Sequence, residues 1–202
     1  MKQLLKLKSK QRLAMVSLQQ HLSMLRMKEY LTLTGIVVGS ALLRVPMQAL
    51  PSVEPISFFS FLSGWLFGKK KGFIAGVSAL ALSNFFVMGG QGPWTIPMAL
   101  GFGIIGAAGG FLRKRASVFE TITVMVIATA VYEVVVNVGS LIFFPAAFPL
   151  LFITAAPFTL IHILSNGVFS AFLPKAKQLA EKAGHFHERE IAKDLIAHLK
   201  KK

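Results

Sequence analysis

Residues 101–106 read GFGIIG, and the reading of this stretch decides what kind of fold the chain adopts. The glycines fit G-x-G-x-x-G, the phosphate-binding turn of dinucleotide enzymes. That turn needs a strand before it, a helix after it and an acidic residue about 20 positions on. Glu120 is the available acid. The surroundings decide against it. GFGIIG sits inside the uncharged run from Ile96 to Leu112, with no turn to separate a strand from a helix. In such a run glycines are positions where helix backbones approach closely, and Gly106 with Gly110 forms a small-xxx-small pair of that kind.

The rest of the chain has the same character. Of 202 residues, 54% are hydrophobic and only 15% charged. The mean hydropathy is +0.63. Soluble domains carry about 25% charged residues. Between Tyr30 and Leu173 the charges are confined to Arg44, Glu54, Lys69–Lys71, Arg113–Arg115, Glu120 and Glu133. The apolar runs between them approach the roughly 20 residues that cross a bilayer. The expectation is an all-α membrane protein with six transmembrane helices at about 29–46, 55–68, 72–88, 96–112, 117–142 and 149–173. A basic amphipathic segment (1–28) precedes the membrane domain (29–173), and a basic helical tail (174–202) follows it.

The cations set the orientation. The segments 1–28, 69–71, 113–116 and 174–202 hold 21 of the 22 Lys and Arg residues, whereas 47–54, 89–95 and 143–148 hold none. The positive-inside rule then places both termini in the cytoplasm. The net charge of +14 is accordingly an orientation signal with contact to anionic lipid, and nucleic acid is not an expected partner. Residues 1–28 mix leucines with lysines throughout and do not read as a secretory signal.

Catalytic chemistry is thinly represented. There is no cysteine, and Asp194 is the single aspartate. No G-x-S-x-G nucleophile motif occurs. His185-Phe186-His187-Glu188 has metal-ligand types, but three ligands in one tail read as a solvated segment, and no metal is expected. Polar groups inside the spans carry more information, because ionisable residues there are costly. Arg44 and Glu54 flank the first outer loop, where they either pair or meet a ligand. Glu133 and Asn137 share a helix face, as do His162 and Asn166. Asn84 lies toward the outer end of span three, and Gln91 and Trp94 belong to the loop NFFVMGGQGPWT. Together these residues outline a polar site facing the outer side.

Four features together resemble the substrate-binding S components of energy-coupling factor (ECF) transporters, over about residues 28–174. They are the size with six spans, Gly35-xxx-Gly39 in span one, the loop PSVEPIS, and the segment GGQGPWTIPMALGFGIIGAAGG. The resemblance implies a prokaryotic plasma-membrane protein without enzymatic activity or a cofactor of its own. It would bind a vitamin or related micronutrient through Glu133, Asn137, His162, Arg44, Glu54, Asn84, Gln91, Trp94 and Asn166. It would dock through Gly35 and Gly39 on a transmembrane coupling subunit, with two partner ATPases hydrolysing ATP. Cobalamin, riboflavin and a queuosine precursor all fit as substrates. Two rival expectations stand beside it: a structural membrane protein similar to the rod-shape-determining family, and a small intramembrane enzyme built on Glu133 and His162.

Overall fold

The computed structural model describes residues 2–143, 145, 148–184, 191–192 and 195–197, with side chains from Arg12 onward except that of Phe148. The sequence 185–188 and Asp194 lie outside the described residues. Among the described residues seven helices follow in order: α1 (Lys2–Met47), α2 (Pro55–Phe67), α3 (Lys69–Ser83), α4 (Thr95–Gly109), α5 (Val118–Ser140), α6 (Phe148–Ser170) and α7 (Leu173–Gly184). No strand occurs among the described residues. Two compact units divide the chain, one of residues 1–32 with 179–202, the other of residues 33–178. In the first, Leu25, Glu29 and Ala192 are buried. The second contains every candidate binding and docking residue named above.

Within that second unit, α2, α3 and α4 pack on one another and α4 hands over to α5, which pairs with α6. The contact is made by backbone. A β-carbon on Gly106 would overlap the carbonyl oxygen of Gly72, and one on Gly64 or Gly72 would overlap the carbonyl oxygen of Gly106. Gly101 and Gly103 accommodate the rings of Tyr132 and Phe73 in the same way. The glycines of GFGIIG are therefore seats for neighbouring helices and rings. Glu120, the acid a dinucleotide turn would use, caps a helix. Ser117 Oγ accepts the Glu120 N–H at 3.1 Å, and the Glu120 carboxylate accepts the Ser117 N–H at 2.8 Å. This capping box satisfies two donors that the first turn of α5 leaves free.

Several helix ends differ from the expectation. Helix α1 runs unbroken from Lys2 to Met47, with no break between residues 28 and 29, and α4 ends at Gly109 where the span was expected to reach 112. Lys69–Lys71 were expected to connect two spans, but they form the first turn of α3. Gly68 alone makes the connection, at φ +93°, a conformation that glycine adopts without steric cost. Lysines there oppose the helix dipole. Part of that cost is offset where the Lys69 ammonium stands 3.3 Å over the Phe111 ring. At the other end, α3 stops at Ser83, so residues 84–88 are turn where helix was expected.

Among the described residues three helices are long and apolar enough to cross a membrane: Arg12–Met47, Val118–Ser140 and Pro149–Ser170. Much of their apolar surface faces outward, with Ile127, Val131, Val134 and Val138 on α5 and Ile153, Leu160, Leu164 and Val168 on α6 all exposed. Helices α2, α3 and α4 have 13, 15 and 15 residues. At 1.5 Å per residue they reach only about 20–23 Å, short of a bilayer's hydrocarbon core of about 30 Å.

Candidate functional site

The polar residues gather where the end of α1, the start of α2, the end of α3 and the start of α4 meet. Arg44 is the hub. Its Nε donates to Glu54 Oε2 at 3.1 Å, and its Nη1 donates to Ser83 Oγ at 3.0 Å and to Asn84 Oδ1 at 2.8 Å. Asn84 Nδ2 donates onward to Thr95 Oγ1 at 3.1 Å, and Thr95 Oγ1 donates to Gln91 Oε1 at 3.2 Å. Gln91 itself reaches back to the carbonyl of Ala81 at 2.7 Å. Arg44 and Glu54 are mostly buried, with side chains 13% and 17% exposed, so each needs the other. Glu54 precedes Pro55 and is extended, as pre-proline residues are. Its carboxylate turns to Arg44 and makes no hydrogen bond to the first turn of α2.

A second network joins α2, α5 and α6. His162 Nδ1 lies 2.6 Å from Glu133 Oε1, and His162 Nε2 lies 3.2 Å from Ser57 Oγ. Thr159, one turn before His162, donates to Glu133 Oε2 at 2.9 Å. A carboxylate can only accept, so Nδ1 carries the hydrogen toward Glu133. Nε2 then faces the serine hydroxyl. Tyr132 stands edge-on to the imidazole, with ring centroids 4.9 Å apart at 83°, and Phe102 packs behind it.

The expected residues sort unevenly. Arg44, Glu54, Asn84 and Gln91 share one network, and Glu133 and His162 the other. Asn137 faces inward as expected, but its side chain donates to its own helix at the Glu133 carbonyl, 2.9 Å away. Asn166 pairs with Thr129 Oγ1 at 3.0 Å and keeps Oδ1 buried without a partner. Ser60 Oγ is buried in the same condition. Trp94 folds back against Gly92 in its own loop. Gly35 and Gly39 have nothing within 4 Å of the position a β-carbon would take. Five hydroxyl residues of these networks, Ser57, Ser83, Thr95, Thr129 and Thr159, were not foreseen. Only Thr159 carried a signal, its three-residue offset from His162. Ser57 and Thr95 close the quoted stretches PSVEPIS and NFFVMGGQGPWT without any sign of their partners, and Ser83 and Thr129 look like ordinary hydroxyls in apolar runs.

These features define an all-helical protein with membrane-length apolar helices and a mostly buried polar site. The chain belongs to a family of unknown function (DUF6580), whose model matches residues 25–187. No curated protein and no solved structure matches it.

Proposed function

We propose that this protein is the S component of an ECF-type importer in a prokaryotic plasma membrane. It spans the membrane six times with both termini in the cytoplasm. It binds a vitamin or related micronutrient on the outer side and delivers it by docking on a coupling subunit served by two ATPases. The observation that carries the reading is the paired network itself. Arg44, Glu54, Asn84 and Gln91 converge where the loops at 48–54 and 84–94 leave the helices, and Glu133 with His162 lies beside Tyr132 just within. Ionisable groups gathered among apolar helices call for a functional account. The open face at Gly35 and Gly39 supports docking, since small residues let a partner helix approach closely. The short helices α2 to α4 cross with help from their flanking turns and by local thinning of the bilayer.

The test is purification in mild detergent followed by mass spectrometry of co-purified small molecules. One stoichiometric vitamin-like compound is expected, and Glu133→Ala should lose it. No compound, even after candidate vitamins are added, would refute the substrate-binding role. A Gly35→Leu plus Gly39→Leu double variant should abolish association with the coupling subunit while the bound compound stays. Unchanged association would remove these glycines from the docking face.

A further inference from the structure

The hydrogen-bonded order Ser57–His162–Glu133 has chemical content that ligand binding does not use. We propose that Ser57, His162 and Glu133 form an acyl-transfer relay acting on a neutral carboxylic ester with an apolar acyl group. The nucleophile-to-base distance is 3.2 Å and the base-to-carboxylate distance 2.6 Å. Both fall in the range for an activated serine, whose base is oriented by a third group. Such relays are recognised by geometry and roles rather than by sequence order. Glu133 is itself held by Thr159, which fixes the imidazole with Nε2 toward the hydroxyl.

The position of Ser57 supplies the remaining part. It is the third residue of α2, a 13-residue helix that opens with Pro55. The N–H groups of Ile56 and Ser57 precede any intrahelical acceptor. The flanking Glu54 does not cap them, because its carboxylate is engaged by Arg44. Two free donors at the positive end of a helix, one of them the nucleophile's own N–H, suit an oxygen that becomes negative during attack.

The steps balance with water as the only co-reactant. Ser57 Oγ bonds to the ester carbonyl carbon while its proton passes to His162 Nε2. The carbonyl electron pair moves to oxygen, beside the Ile56 and Ser57 N–H groups. Its return breaks the carbon–oxygen bond to the alcohol, which leaves with the proton from Nε2. Water then attacks the acyl-serine, giving its proton to Nε2, and Ser57 leaves with that proton as the acid is released.

The substrate class follows from the lining. Tyr132 and Phe102 border the imidazole, and the charges of Arg44 and Glu54 neutralise each other. An apolar groove of about 290 Å³, lined by Leu43, Met47, Pro55, Phe58 and Phe169 and by none of the three relay residues, lies on a neighbouring face of α2. An acyl chain held there would lie one turn or less along α2 from Ser57. Ser57 is fully buried, so substrate entry requires an opening, and in this proposal the neighbouring segment 48–54 provides it. Ser165, one turn beyond His162 on α6, holds that segment through a long 3.4 Å hydrogen bond to the Ser52 carbonyl.

The full chain in detergent is treated with an alkyl fluorophosphonate, and the adduct is mapped by mass spectrometry while melting of the same sample reports folding. The expected result is one adduct, on Ser57, absent in Ser57→Ala. His162→Gln should slow it by about 100-fold. Glu133→Gln should slow it too, and Glu133→Asp should restore part of the rate, which a merely structural carboxylate would not do. Should His162→Gln unfold, Thr159→Val serves instead, with an unchanged melting temperature and labelling slowed about tenfold for one lost charge-assisted hydrogen bond. No adduct on Ser57 in the folded protein overturns the proposal, as does a rate indifferent to both His162→Gln and Thr159→Val. The adduct forms without vitamin or coupling subunit, so this outcome and that of the transport reading are independent.

Discussion

At the scale of single residues, the site is governed by how mostly buried charges are paired. Removing one partner of such a pair leaves the other desolvated and alone, whereas removing both is far milder. Arg44→Met should therefore destabilise the protein by about 3 kcal/mol. Arg44→Met combined with Glu54→Gln should cost clearly less than the sum of the single changes. Thermal melting of the double-mutant cycle measures the difference, and additive single effects would mean the pair is not coupled. Asn166 makes the opposite case. Its buried Oδ1 has no partner, and its one bond goes to Thr129, which already donates to the Met125 carbonyl. Asn166→Leu replaces an unsatisfied group by an apolar one of similar volume, a change that is near neutral or stabilising. We expect an unchanged or higher melting temperature together with loss of the co-purified compound. A large drop in stability would make Asn166 a structural residue. The sequence named these residues because charge and amide groups stand out in apolar runs. It could not name Ser57 or Thr129, since a hydroxyl that bonds its own helix and one that meets a distant imidazole look alike until the helices are packed.

At the scale of helices, the glycines divide into two groups that the sequence spells identically. Gly106 faces backbone, and a methyl group there meets the Gly72 carbonyl, which has no freedom to move aside. Gly106→Ala should cost about 1–3 kcal/mol or more, the usual penalty for overpacking. Gly35 faces open space, so Gly35→Ala gains helix propensity with no clash and should stabilise the isolated chain by up to about 1 kcal/mol. Melting temperatures of the two alanine variants, compared in one detergent, check the contrast. Equal effects would mean that the α3–α4 contact is looser than its geometry requires. Helix existence was legible throughout, because long apolar runs bounded by lysine clusters and proline leave little choice. The ends were less so. Lys69–Lys71 read as a connection on charge alone, yet Gly68 turns the chain in a single residue and frees the lysines to open α3. Only the left-handed backbone at that position reveals it.

At the scale of the whole molecule, the proposed six-span topology has to accommodate helices of very unequal length. Helices α5 and α6 have 23 residues each and are long enough to cross, while α2 has 13. The proposed topology has all six cross, since a re-entrant pair would put Lys69–Lys71 on the same side as residues 47–54, which carry no Lys or Arg. The chain has no cysteine, so each introduced thiol reports alone. Leu50 and Met88 are exposed in the segments expected outside, with Met88 bonded to Gln48 through its backbone only. Lys70 and Lys114 are exposed at the two internal basic clusters. In intact cells a membrane-impermeant maleimide should label Leu50→Cys and Met88→Cys, and leave Lys70→Cys and Lys114→Cys unlabelled until the membrane is opened. Labelling of Lys70→Cys from outside would make α2 and α3 a re-entrant hairpin. The polar networks would then be reached from the opposite side, and the importer reading would fail with its topology.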